Sequence, residues 1–142
     1  MKKRIFQTII IIFLLISASS FHDNFRYSRV YINEDFLKAE IASTDRQRRE
    51  GLSGRENIAE DEALILEFDK EGYHPIWMKD MNFSIDVIWL NSNKEIVDFK
   101  KNLSPDSYPQ TFTPQRRAKY VLEVKSGFIE REDLNIGDVL EF

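Results

Sequence analysis

The stretch His74-Pro-Ile-Trp-Met-Lys-Asp-Met-Asn-Phe-Ser-Ile-Asp-Val-Ile-Trp-Leu90 decides how the chain is read, because it holds both tryptophans and two of the three methionines. Trp77, Phe83 and Trp89 each carry enough ring area to dominate the stability of a small core once buried. Alternation predicts two strands here, residues 76–79 and 85–90. In the second, Ile85, Val87 and Trp89 share one face and Asp86, Ile88 and Leu90 the other. Residues 91–94 have turn composition, and residues 95–101 read as the returning strand of a hairpin. A direct four-residue closure sets Leu90 opposite Glu95, Ile88 opposite Val97 and Asp86 opposite Phe99. Asp86 then points into an apolar surface, where an isolated charge is very costly. Lys79, Arg55 and nearby backbone amides are the available partners.

Outward from this stretch, residues 63–68 form an apolar run and a predicted strand, and residues 69–72 a turn by composition. Residues 36–42 set Leu37, Ala39 and Ile41 against Lys38 and Glu40, the alternation of a strand. Thr44 with Gln47 matches a capping box, in which hydroxyl and amide satisfy free N–H groups at a helix start. Asp45 suits that first turn, Gly51 can end the short helix in a left-handed conformation, and Arg46, Arg48 and Arg49 give it a basic surface. Residues 55–62 are a polar loop or a single helical turn. Residues 102–114 hold three of the four prolines and show no period, so they read as a long surface loop, a common form for a binding loop or lid. Residues 119–124 are a strand, Gly127 turns the chain, residues 128–134 form a helical turn, and a last short strand ends at Phe142. Residues 30–32 are a short strand within an N-terminal arm, residues 21–35, that precedes a single domain over residues 36–142. Six to eight short strands, joined mostly by connections too short for crossovers, define a mainly β (α+β) domain. It is expected to be compact and largely antiparallel, barrel- or sandwich-like, with one or two short helices.

At 142 residues the chain allows one domain. Lys2-Lys-Arg4, the mostly apolar residues 5–16 and the small residues Ala18-Ser-Ser20 compose a secretory signal peptide over residues 1–20. The apolar run is shorter than the ~20 residues of a membrane span, and an uncleaved N-terminal anchor is the alternative. The expected location is periplasmic or extracellular. The chain has no cysteine, hence no disulfide, thiolate ligand or cysteine nucleophile. Without residues 1–20 there are 17 Lys and Arg against 24 Asp and Glu, a net charge of −7. That balance argues against nucleic acid, whose phosphates draw clustered positive charge, and against anionic membrane surfaces.

Trp77-Met-Lys-Asp80 followed by Ile85-Asp-Val-Ile88 resembles the core motif of the DUF192 family, also called UPF0127: W-M-K-N-T, two residues, then L-D. Further matches keep the same order. They are Ala42-Ser-Thr44, residues 48–55 (R-x-x-G-L-M-x-R in the family), residues 63–68 (G-M-L-F-x-F), Tyr120-Val-Leu-Glu123 with Gly127, and Gly137-Asp138. Together they span residues 39–142. The chain carries Ser53 where the pattern has Met, Ala63-Leu64 for Gly-Met, and Asp80-Met81 for Asn-Thr. The resemblance implies a compact β-rich fold and carries no assigned activity.

His22 and His74 are the only histidines, and neither sits in a metal-ligand spacing. The acidic residues within 57–62 lack the spacing of a calcium loop, so neither metal nor cofactor is expected. No G-x-S-x-G elbow is present, and His74 before Pro75 reads as a turn residue. Asp86 and Glu123, each mid-strand, are a pair that could divide acid and base roles as in glycoside cleavage, or could form structural ion pairs. Arg55, Trp77 and Lys79 could hold an anion or a sugar ring by charged hydrogen bonds and stacking, or could pack the core and neutralise the two carboxylates. The resulting expectation is a non-enzymatic exported module of the cell envelope, either binding or accessory. Its site would be Arg55, Trp77, Lys79, Asp86 and Glu123, rimmed by residues 102–114, for a small polar ligand or an envelope protein. The alternative is a small hydrolase or lyase of an envelope saccharide, with Asp86 and Glu123 as acid and base.

Overall fold

Eight strands and two short helices follow one another along residues 24–142, the part of the chain that the computed structural model describes. The expected leader over residues 1–20, and His22, lie outside the described residues. The elements are β1 (Arg26–Ile32), β2 (Asp35–Ala42), α1 (Asp45–Glu50), β3 (Glu62–Gly72), β4 (Ile76–Trp77), β5 (Ile85–Leu90), β6 (Ile96–Leu103), β7 (Thr111–Phe112), β8 (Ala118–Lys125) and α2 (Phe128–Arg131). Six strands form one sheet in the order β1-β2-β3-β8-β5-β6, and β4 with β7 makes a separate two-stranded ribbon. The domain is mainly β with two short helices, and its pairs are antiparallel except β2 with β3, so the sheet is mixed and does not close into a barrel. The parallel pair is permitted by residues 43–61, a crossover long enough to carry α1 over the sheet.

Both faces of the sheet are covered, which is why all six residues of β5 are buried. On one face Val30, Leu37, Ile65, Ile88 and Leu122 pack with Phe128 and Ile129 of α2. On the other, Leu64, Leu66, Val87, Trp89 and Val121 pack with Leu52, Ile76 and Met78. The two faces predicted for residues 85–90 are those observed. Trp89 is wholly buried, and its indole N–H donates to the His74 carbonyl at 2.9 Å. The capping box forms as predicted: Thr44 Oγ1 accepts from the Gln47 N–H, and Gln47 Oε1 accepts from the Thr44 N–H. Gly51 then ends α1 at φ +52°, though its ψ of −130° lies outside the left-handed helical well.

Several expected boundaries move. The hairpin register differs: Leu90 pairs with Ile96, Ile88 with Phe99 and Ile85 with Leu103, with irregularities near both ends. The cause is the turn, where Asn91 Oδ1 accepts the N–H groups of Asn93 and Glu95 and so draws Glu95 out of the strand. Strand β1 begins at Arg26 rather than near Val30, because an edge strand needs little apolar surface and Arg26 is anchored by an ion pair with Glu67. The predicted turn at residues 69–72 continues β3, and Gly72 is where the His74 ring closes on the backbone; a Cβ there would lie 2.9 Å from His74 Cε1. The strand expected over residues 76–79 stops at Trp77, since Asp80 turns the chain at φ +55°. Residues 102 and 103 belong to β6, and within the former loop β7 pairs with β4. The final segment makes two isolated bridges instead of a strand: Val139 with Glu95 beside β6, and Glu141 with Tyr31 of β1.

Candidate ligand-binding cleft

A cleft of about 340 Å³ opens on the face of the sheet that α1 covers. Leu66 of β3, Ile85 of β5 and Glu123 of β8 line it from the sheet, and Phe68, Pro75, Ile76, Trp77 and Met81 add apolar surface around them. The end of α1 and the turn beyond it contribute Gly51, Leu52 and Ser53, and β7 contributes Thr111. Its size falls in the range of small-molecule sites. Three hydrogen bonds lace the two loops that frame it. Ser53 Oγ donates to the Lys79 carbonyl at 2.8 Å, the Gly54 N–H to the Asp80 carbonyl at 2.9 Å, and Asn82 Nδ2 to the Arg55 carbonyl at 2.8 Å. Arg48 straps α1 to β3 by donating to the carbonyls of Ser43 (2.6 Å) and Glu67 (2.7 Å), with its guanidinium 5.0 Å from the Phe68 ring centre. The cleft is therefore framed by cross-linked segments.

Glu123 is the unusual group in it. The residue is 5 % exposed, and among the described residues its carboxyl makes no hydrogen bond and no ion pair. Burial pushes its pKa up to about 7, against an opposing pull from the Arg55 charge. Arg55 is committed elsewhere: its guanidinium grips Glu40 in a two-pronged pair, Nη1 to Oε1 at 2.9 Å and Nη2 to Oε2 at 2.7 Å. That grip raises the Arg55 pKa. Gly51 approaches Glu123 Oε2 closely enough that a Cβ there would stand 3.7 Å away.

Asp86 does not belong to this site. It pairs with Val124 while Glu123 pairs with Val87, so the two carboxylates project from opposite faces of the sheet. Asp86 Oδ1 accepts the Asn102 N–H at 2.8 Å and Oδ2 the Ile129 N–H at 2.9 Å. The second bond caps α2, whose own N-cap, Gly127, has no side chain to do so. Backbone amides, not Lys79 or Arg55, are thus the partners of Asp86, and the Asp86–Glu123 acid–base pair is removed by geometry. Trp77 remains 44 % exposed at the cleft wall, edge-on to Tyr108, with the exposed Lys79 ammonium 5.8 Å from its ring centre. Of the five expected site residues, Glu123 and Trp77 line the cleft, Lys79 and Arg55 border it, and Asp86 lies across the sheet. From residues 102–114, Thr111 reaches the lining. Leu52, Phe68 and Met81 escaped sequence reasoning because apolar lining and apolar core read alike. Ser53 and Met81, two departures from the family pattern, both face the cleft. His74 is occupied structurally, stacked on Phe68 at 3.6 Å with Nε2 3.1 Å from the Lys70 carbonyl.

Elsewhere, in the hollow bounded by Leu37, Phe128 and Arg131, Arg131 pairs with Glu60 and Glu132, Asp61 pairs with Lys38, and Asp35 accepts the Phe36 N–H. Among the described residues no group of three or more His, Asp or Glu side chains could hold a metal ion, and no helix is long and apolar enough to cross a membrane.

Comparison with known proteins places this mixed sheet in a family and finds the same fold in solved structures. The DUF192 family model, described as an uncharacterized ACR, matches residues 29–142, and the chain belongs to that family. The UPF0127 protein of Pyrococcus furiosus is 42% identical over 69 residues, covering 49% of this chain and 53% of its own length. That of Thermococcus kodakarensis is 30% identical over 105 residues, covering 74% of this chain and 64% of its own length, so the chain spans less than two thirds of either relative. A solved structure from Sinorhizobium meliloti, of a protein proposed to be a transcription regulator, superposes with a TM-score of 0.78 at 27% identity, over 83% of this chain and 95% of that one. A protein of unknown function from Novosphingobium aromaticivorans shares the fold, with a TM-score of 0.78 at 19% identity over 88% and 91% of the two chains.

Proposed function

We propose that this chain is an exported binding module of the cell envelope, whose cleft beneath α1 takes one small organic molecule with an apolar body. The observation that carries the reading is Glu123, a buried carboxyl without a partner among the described residues, set in a cleft otherwise lined mostly by apolar side chains. A buried polar group left unsatisfied costs about 1–3 kcal/mol, and a ligand that satisfies it recovers that cost on binding. The half-exposed Trp77 and the laced loops favour a preformed site. Export rests on the residues 1–20 pattern alone. The regulator role proposed for the Sinorhizobium protein is not carried over, because a net charge of −4 suits nucleic acid poorly.

A second reading is favoured by one observation, the Glu123 pKa of about 7, which suits a group that both takes and gives protons at neutral pH. The envelope hydrolase or lyase then retains Glu123 without Asp86. A thermal-shift screen against amines, organic acids, sugars and muropeptides tests both readings, run beside Glu123→Gln and Trp77→Ala. A ligand that binds the native state raises the melting temperature. The expected result is a shift in the wild type that Glu123→Gln loses and Trp77→Ala reduces while both remain folded, and turnover of that ligand would move the assignment to the enzyme. No shift with any compound refutes the binding role. Export is tested separately, by fractionating cells and sequencing the N-terminus of the protein recovered.

A further inference from the structure

The charges around the cleft indicate what kind of molecule would fit it. Glu123 is the one titratable group that the sheet presents to it; the other lining residues of β3, β4, β5 and β7 are Leu66, Phe68, Ile76, Trp77, Ile85 and Thr111. From α1, Asp45, Arg48, Arg49 and Glu50 also line it, and Arg48 is already bound to Asp45 and to two carbonyls. Arg55 faces Glu123 from the turn beyond α1 but is held by Glu40. With Glu123 ionised, three carboxylates stand against two guanidiniums in the lining, with Arg55 and Lys79 at its border, and the most buried of these charged residues is the unpartnered Glu123.

We propose that the cleft selects small organic monocations, an ammonium group on an apolar or aromatic body, with Glu123 as the counter-ion. The inference rests on the binding role proposed above. A neutral apolar guest would leave the carboxyl unsatisfied, and an anion would set a second negative charge against it. An ammonium supplies both the opposite charge and the N–H donors. The Trp77 ring, already 5.8 Å from the Lys79 ammonium, offers a face that attracts cations and packs against an apolar body. A space of 340 Å³ is about eleven water volumes, room for a body on the order of ten non-hydrogen atoms.

Because the cation needs the ionised carboxylate, affinity has a defined pH dependence. It is flat above pH 7 and falls about tenfold per unit below it, as Glu123 takes up its proton. The experiment is calorimetric titration of the purified protein between pH 5.5 and 8.5 with three isosteres: phenethylammonium, 2-phenylethanol and phenylacetate. The expected result is that phenethylammonium binds tightest, with that pH dependence and with proton release between pH 6 and 7. Glu123→Gln should lose at least tenfold at pH 8 and become insensitive to pH while melting as a folded protein. Trp77→Ala should weaken binding yet keep the pH dependence. Equal, pH-independent binding of the amine and the alcohol would overturn the cation assignment and leave the binding role standing. Tightest binding of phenylacetate, strengthening below pH 7, would overturn the assignment in favour of acids. Binding of none of the three overturns it too, and the wider screen then decides whether the binding role fails with it.

Discussion

Asp86 and Glu123 stand on neighbouring strands, one position apart in register, and their environments are opposite. On the α2 face, Asp86 is wholly buried and both its oxygens accept backbone N–H groups, so the carboxylate is a fixed part of the scaffold. On the α1 face, Glu123 is nearly as buried and accepts none among the described residues. Burial alone therefore does not distinguish a structural from a functional carboxylate; the count of donors pointed at it does. One side of the sheet closes on its acid with a helix N-terminus, and the other leaves a cleft beside it.

The contrast predicts mutational effects of opposite sign. The largest is at Asp86. Asp86→Ala strands two buried N–H groups and uncaps α2, and should cost about 3 kcal/mol, read as a loss of roughly 10 °C in melting temperature. A variant that melts like the wild type would break the comparison. Glu123→Gln should do the reverse at neutral pH. The Glu123 pKa rises from its ordinary 4.5 to about 7 on folding, so as pH rises through that window the unfolded chain has lost a proton that the native state still holds. Native stability therefore falls from pH 4.5 to 7, by about 3 kcal/mol in all. Glu123→Gln should remove that slope, melting higher than wild type at pH 8 and equal to it near pH 4; chemical denaturation across pH reads this directly. Arg55→Gln should cost about 1 kcal/mol, since the Glu40 pair is partly exposed. Without that positive charge the Glu123 titration followed by carboxyl NMR should move above pH 7. The smallest effect is Trp77→Ala, within about 0.5 kcal/mol because the ring is half-exposed; a large destabilisation would make Trp77 core rather than cleft wall.

How far the sequence could be read follows from which interactions are local. The faces of residues 85–90, the Thr44–Gln47 box and the strand at residues 36–42 rest on neighbours in the chain, and alternation or spacing reveals them. The hairpin register was hidden because Asn91 uses its side chain to lengthen the turn, which composition does not disclose. Glu123 was marked by its place among the apolar residues of β8, but its lack of a partner depended on Arg55 choosing Glu40, fifteen residues upstream. Asp86 stands out for the same reason, and its partners, the Asn102 and Ile129 N–H groups, lie sixteen and forty-three residues away. A carboxylate in an apolar strand is thus visible in the sequence, whereas what satisfies it is a property of the assembled sheet.

The bridges made by the last residues have a consequence for self-association. Strands β1 and β6 are the two edges of the sheet, and an open edge is a template on which another chain can add a strand. Glu141 takes the Tyr31 N–H at one edge, Asp138 takes the Ile96 N–H at the other, and Lys94 holds the Phe142 backbone oxygen. The segment 138–142 thereby meets both edges, with one isolated bridge at each. Trimming it would expose the two together, and the cut chain should form dimers or fibrils at concentrations where the whole chain stays monodisperse.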